Sequence, residues 1–176
     1  MARNVEIKAR VDDLDALESR VRQWADEGPI EINQDDTFFA CSSGRLKVRE
    51  FSGGAGQLIF YQRSDSSGPK ESSYECVETD TPSALRHALG LAYGTAGRVI
   101  KKRRLYLIGR TRVHLDTVES LGEFVELEVV LEESESESDG SAVAQDLLGK
   151  LEVGAGDLID VAYVDLLARN TGSANS

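Results

Sequence analysis

No stretch of this sequence approaches the ~18 consecutive apolar residues of a membrane-spanning helix, which excludes a helical membrane protein. The opening residues, Met-Ala-Arg-Asn-Val-Glu, put charge where a secretory signal needs an apolar run, so the expected compartment is the cytoplasm. Cysteine is scarce. Cys41 and Cys76 are too few for a disulfide framework or a thiolate metal site, and both fall in strand-like segments, where a thiol behaves as a small apolar residue. Positive charge is also short: 20 Lys and Arg stand against 31 Asp and Glu, a net charge of −11. Such a chain does not coat nucleic acid or clamp an anionic lipid surface. Neither extended nucleic acid nor membrane is an expected partner.

What is present suffices for one globular domain: 176 residues, 40% of them hydrophobic and 29% charged. Residues 3–11 alternate polar Asn4, Glu6, Lys8 and Arg10 with apolar Val5, Ile7, Ala9 and Val11, the period of a strand. A helix follows, capped at Asp12 or Asp13, with Leu14, Leu17, Val21 and Trp24 on its core face and Gly28-Pro29 at its end. Strands are expected at 34–41 and 45–51 around Ser42-Ser43-Gly44, and at 57–64 and 70–79 around Ser66-Ser67-Gly68-Pro69. Thr81-Pro82 opens a second helix, which ends at Gly94. Three more strands are expected near 98–108, 110–117 and 124–132. A solvated acidic loop at 133–140, a helix at 141–151 and a short helix at 157–168 complete a single domain over 1–168. Residues 169–176 lack large apolar side chains and are expected to form a disordered tail. Eight strands with three or four helices describe an α+β fold, an antiparallel sheet closed or nearly closed into a barrel.

The charges are arranged by strand face. Arg45, Lys47 and Arg49 share one face, opposite Leu46 and Val48. Lys101 and Arg103 share another, which leaves Lys102 and Arg104 on the exterior. Arg112, His114 and Asp116 alternate with Val113 and Leu115, and Glu126 and Glu128 alternate with Val125, Leu127 and Val129. Glu6, Lys8 and Arg10 make a fifth charged face. An antiparallel sheet with one wet face would account for any single strand. A solvent face, however, mixes both signs on every strand, whereas here the signs are segregated on three of these faces: basic clusters at 45–49 and 101–103, carboxylates at 126–128. Like charges so grouped repel unless an anion carrying a cation lies between them. That favours charged faces turned inward around a polar tunnel, with the apolar faces outward beneath helices. Arg and Lys match phosphate oxygens, and carboxylates with little Cys or His suit a hard cation, Mg²⁺ or Mn²⁺. Triphosphate chemistry is the class indicated.

Asn4-Val5-Glu6-Ile7-Lys8 resembles the ExExK signature that opens the CYTH superfamily, the triphosphate tunnel metalloenzymes. Further blocks follow in that family's order: Gly44-Arg45-Leu46-Lys47-Val48-Arg49-Glu50, Lys101-Lys102-Arg103 and Arg112-Val113-His114-Leu115-Asp116, then the run from Leu121 to Glu128 (LGEFVELE) and Tyr163-Val164-Asp165-Leu166-Leu167. The family comprises class IV adenylyl cyclases, thiamine triphosphatases, inorganic triphosphatases and RNA triphosphatases. The resemblance implies an eight-stranded antiparallel tunnel. It implies that Glu6, Asp116, Glu126 and Glu128 hold Mg²⁺ or Mn²⁺, and that Lys8, Arg45, Lys47, Arg49, Lys101, Arg103 and Arg112 grip the triphosphate. Of these, Lys8, Lys47 and Arg49 would act on the reacting phosphate. Arg10 and Arg63 are further candidates whose facing depends on strand register. Asn4 departs from the signature: the site has one negative charge fewer, which weakens one metal position.

Other residues keep two readings. His114 is either a tunnel-facing acid–base group or a partnered structural histidine. Tyr163 packs the last helix or plugs the tunnel, and Glu75 has no assigned face. Two reactions suit such a site: hydrolysis of a phosphoanhydride, or attack of a ribose 3′-hydroxyl on the α-phosphorus to give cyclic AMP and pyrophosphate. A sensor that binds without turnover is a third outcome. The favoured reading is a metal-dependent triphosphatase, monomeric or homodimeric, acting on tripolyphosphate, thiamine triphosphate or a nucleoside triphosphate.

Overall fold

The computed structural model describes residues 2–63 and 69–173. In chain order the elements are β1 (Ala2–Arg10), α1 (Leu14–Trp24), β2 (Glu27–Phe39), β3 (Arg45–Phe51), β4 (Gly56–Arg63) and β5 (Lys70–Thr79). Then come α2 (Pro82–Tyr93), β6 (Thr95–Ile108), β7 (Thr111–Val118), β8 (Gly122–Val130), α3 (Glu137–Lys150), the two-residue β9 (Leu158–Ile159) and α4 (Tyr163–Ser173). Neighbouring strands run β5-β4-β3-β2-β6-β7-β8-β1, and β1 pairs antiparallel with β5 to close an eight-stranded barrel. The short β9 adds to β1 outside that ring.

Alternation along the strands gives the barrel its inverted polarity. Val5, Ile7 and Ala9 of β1, Val113 and Leu115 of β7, and Val125, Leu127 and Val129 of β8 point outward, where α1 and α3 cover them. Leu14, Leu17 and Val21 supply the α1 stripe, and Ala144, Leu147 and Leu148 that of α3. The helix α3 comes so close to β1 that a Cβ on Gly140 would lie 2.7 Å from Val5 Cγ2. A second apolar cluster joins Phe38, Val99, Val118 and Phe124 to Ala162, Tyr163 and Val164 at the start of α4. It closes one end of the barrel, and at Gly97 a Cβ would meet Val164 Cγ2 at 2.4 Å.

Several local expectations change. The strand β2 begins at Glu27 rather than 34, so Gly28-Pro29, joined by a cis peptide, lies at a bulge where the β2–β6 register slips; proline is tolerated at such a break in the ladder. Trp24 is 46% exposed rather than core. It occupies the last residue of α1, past the barrel surface that buries Leu17 and Val21, and Lys150 Nζ lies 4.9 Å over its ring. The acidic loop is shorter than 133–140. Ser136 and Asp139 cap each other's backbone, which starts α3 at Glu137, and Glu135 accepts from Arg110. The last helix runs to Ser173, five residues into the expected tail; residues 174–176, like the turn at 66–68, lie outside the described residues. Cys76 is exposed rather than packed as a small apolar residue. No helix among the described residues is long and apolar enough to cross a membrane.

Candidate active site

The barrel encloses a tunnel of about 360 Å³. Among the described residues that line it are Lys8, Lys47, Arg49, Arg63, Lys101, Arg103 and Arg112, against the carboxylates Glu6, Asp36, Glu126 and Glu128. A chain carrying −11 overall therefore surrounds an interior with a formal excess of three positive charges, seven basic residues against four acidic.

One wall is basic and carries its own counter-ions. Lys47 and Arg49 of β3 stand in register with Phe38 and Asp36 of β2. Asp36 accepts from Lys47 Nζ at 2.6 Å and from Arg49 Nε and Nη2 at 2.7 Å each. Burial would raise its carboxyl, but the charges of Lys47 and Arg49 outweigh burial and hold it far below the usual carboxylate range. On β6 the same arrangement recurs. Arg103 grips Asp116 of β7 through two bonds of 2.7 Å, with Lys101 Nζ at 3.3 Å and the Tyr163 hydroxyl donating at 3.0 Å. Asp116 is fully buried, and Arg103 and Lys101 overcome burial to hold it low. Burial, seconded by the Arg103 charge, pushes Lys101 down to about 7.

The opposite wall is acidic and less neutralised. In the β1–β8 register Glu6 faces Glu128 and Lys8 faces Glu126; in the β7–β8 register Arg112 faces Glu128 and His114 faces Glu126. Lys8 Nζ lies 3.1 Å from Glu126 Oε2, and Arg112 Nε donates to Glu128 Oε2 at 2.9 Å. Glu6 has Arg63 at 3.8 Å. Burial, then the charges of Glu126 and Glu128, push the Glu6 carboxyl up to about 7. His114 is 4% exposed, and its Nδ1 has no hydrogen-bond partner among the described residues. Burial and the Arg103 charge keep the imidazole below its ordinary value, hence neutral at pH 7.

The tunnel thus gathers most of the residues singled out from the sequence. Lys8, Lys47, Arg49, Arg63, Lys101, Arg103 and Arg112 line it, as do Glu6, Glu126 and Glu128. Three do not. Arg10 ends β1 exposed, with its guanidinium 5.2 Å over the Phe124 ring. Arg45 bonds Asp165 of α4 at 2.6 Å. Asp116 has both oxygens engaged by Arg103, Lys101 and Tyr163, which makes it a counter-ion behind the basic wall. Glu75 is exposed on the exterior, and Arg104 bonds Glu18 of α1 outside the barrel. Tyr163 both packs and plugs: its ring lies tilted at 58° against Phe124, centroids 4.9 Å apart, while Lys8 Nζ sits 4.0 Å from its centre. Asp36 was missed. Its alternation with Gln34 and Phe38 marks the same inward face, but a lone carboxylate among polar neighbours carries no cluster signal.

The model of the CYTH domain matches residues 2–163. The chain belongs to this family. The CYTH chain is 27% identical over 168 residues to the adenylate cyclase CyaB of Aeromonas hydrophila, covering 90% of this chain and 85% of that one. Among solved structures it resembles the PH1012 protein of Pyrococcus horikoshii, with a TM-score of 0.82 at 23% identity over 93% of this chain and 98% of the other. It also resembles HpAC1 from Hippeastrum, for which a dominant triphosphatase activity is described, with a TM-score of 0.65 at 14% identity over 96% of each chain. At those identities the two structures attest the fold.

Proposed function

We propose that this CYTH protein binds a triphosphate with a divalent cation inside the tunnel and hydrolyses a phosphoanhydride bond. The observation that carries the reading is the division of one cavity into a basic and an acidic wall, with one end closed by Tyr163 and its neighbours. Lys47, Arg49, Lys101 and Arg103 present fixed donors to phosphate oxygens, and Asp36 and Asp116 hold the two guanidiniums in place without reorganisation. Lys8, between Glu126 and the Tyr163 ring, completes the grip where the walls meet. Glu126 and Glu128, with Glu6 beside them, are the oxygen donors suited to Mg²⁺ or Mn²⁺; the raised Glu6 carboxyl and the orphaned His114 nitrogen both fit a wall built to receive positive charge. The bound cation would supply charge neutralisation on the transferring phosphoryl group. Water then forms the new O–P bond as the bridging P–O bond breaks, and Lys8, Lys47 and Arg49 stabilise the charge that spreads over the phosphoryl oxygens.

The likeness to CyaB favours a second reading, cyclisation of ATP with release of pyrophosphate. The dominant triphosphatase activity of HpAC1 favours the first. Incubation with tripolyphosphate, thiamine triphosphate and nucleoside triphosphates in Mg²⁺ or Mn²⁺, with orthophosphate, pyrophosphate and cyclic nucleotide resolved as products, separates them. Orthophosphate release supports hydrolysis. Cyclic AMP with pyrophosphate overturns it, and thermal stabilisation by tripolyphosphate without any product makes the chain a binding protein.

A further inference from the structure

Neither phosphate binding nor the carboxylate set accounts for His114. Its Nδ1 is buried without a hydrogen-bond partner among the described residues, and it faces two carboxylate oxygens: it lies 3.7 Å from Glu126 Oε1 and 3.7 Å from Glu128 Oε1. Those distances are too long for a hydrogen bond. The other oxygen of each glutamate is already committed, Glu126 Oε2 to Lys8 and Glu128 Oε2 to Arg112. What remains are three donor atoms turned toward one point from β7 and β8, all within 4.8 Å of one another. A cation held at about 2.1–2.2 Å needs donors about 3 Å apart when adjacent and about 4.3 Å apart when opposite. A separation of 3.7 Å lies between these limits.

We propose that His114 Nδ1 is a metal ligand, and that with Glu126 Oε1 and Glu128 Oε1 it forms a mixed nitrogen–oxygen site that takes Mn²⁺ in preference to Mg²⁺. The proposal rests on the tunnel being a metal site, as in the function above, but not on which bond is cleaved. Carboxylates suit Mg²⁺ and Mn²⁺ alike, whereas an imidazole nitrogen is a donor that Mn²⁺, a first-row transition ion, accepts more readily than the hard Mg²⁺. The groups facing the imidazole are arranged for this. Arg103 lies 4.0 Å from Glu126 Oε1, and His114 Nδ1 has no hydrogen-bond partner among the described residues. Asp116, two residues along β7, is bound to Arg103 and does not compete. The Asn4 position, where the family signature has a carboxylate, does not enter the set, so its loss leaves this centre intact.

The test uses the metal alone. Mn²⁺ titrated into the metal-free protein is followed by electron paramagnetic resonance, with spin-echo modulation read for nitrogen coordination. The expected result is a single bound Mn²⁺ with imidazole-nitrogen modulation, displaced only by a large excess of Mg²⁺. In His114→Ala the modulation disappears and Mn²⁺ affinity falls by about 10–100-fold, while Mg²⁺ affinity changes far less. Bound Mn²⁺ without nitrogen modulation overturns the proposal, as does failure of the unaltered protein to bind Mn²⁺ at millimolar concentration. The modulation is measured on the unaltered protein, so a variant that does not fold cannot leave the question open. Nitrogen-ligated Mn²⁺ in a protein that cleaves no triphosphate would sink the hydrolase reading and leave this ligand standing. Cleavage with no nitrogen on the metal would do the reverse.

Discussion

The two walls of the tunnel meet the same difficulty, buried charge, in different ways. On the basic wall each arginine faces a buried aspartate through two short bonds, and both aspartates are held in the charged state. On the acidic wall three glutamates crowd together, one is pushed toward neutrality, and a histidine nitrogen has no partner. Removing either member of a buried pair leaves an uncompensated charge, so the ion pairs that would steady the phosphate donors also hold the basic wall together. On the acidic wall Glu126 and Glu128 each have one oxygen paired with a base, Lys8 or Arg112, and the other turned toward His114. The lesson is that the walls differ in how far each carboxylate is neutralised: both oxygens of each aspartate on the basic wall, one oxygen of Glu126 and of Glu128 on the acidic wall.

The largest effect should come from emptying the acidic wall. Glu126→Ala combined with Glu128→Ala should lower metal-dependent phosphate release by about 10³-fold or more while the protein remains folded, measured as product release alongside a melting curve. Parent-like turnover would remove the division of labour between the walls. Next in size, Asp116→Asn should cost about 3–5 kcal/mol of stability, because Arg103 and Lys101 stay buried without their counter-ion. Glu128→Gln, on the partly exposed acidic wall, should cost far less in the same urea titration. Equal losses would show that the walls do not differ.

The pH response should carry opposite signs on the two sides. Glu6 has its folded value raised to about 7, so the folded chain keeps a proton that the unfolded chain has already released. The stability this group contributes is fully present below the ordinary carboxylate range and is lost as pH rises through about 7. Asp36 and Asp116 are depressed: their contribution is present above the ordinary range and is lost as pH falls. In metal-free buffer, Glu6→Gln should flatten the melting-temperature decline from pH 5 to 7, and Asp36→Asn should flatten only the acid limb. The same limb responding to both variants would contradict the assignment. The smallest effect is a gain. Asn4 is buried two residues from Glu6, and its amide oxygen has no hydrogen-bond partner among the described residues. Asn4→Glu should raise divalent-cation affinity by about tenfold or less and lower metal-free stability, both read by calorimetry and melting.

Much of this was legible because a strand's side chains alternate strictly. Lys47 and Arg49, Lys101 and Arg103, and Glu126 and Glu128 could be assigned to one face each from spacing alone, and Val125 and Leu127 to the other. Segregation of sign suggested that these faces turn inward. Local chemistry was less readable at the ends of elements. Trp24 keeps the helical stripe but overshoots the surface that buries it, and Gly28-Pro29 reads as a stop signal although it falls in a strand bulge. Arg10 and Arg45 have the correct parity for the tunnel, yet they stand near its ends, where Phe124 and Asp165 take them.

By itself the sequence determined the inside-out pattern: which residues face together and the order of the charged strands. Only the tertiary structure decided which carboxylates have both oxygens taken by bases and which keep one toward His114. Asp116 and Glu126 are equivalent on paper, both acidic, both on inward faces of adjacent strands. The β6–β7 register sets Asp116 against Arg103, and the β7–β8 register sets Glu126 against His114. Coulomb energy depends on distance and burial, and both are fixed by pairing between strands remote in sequence, a quantity that no single strand contains.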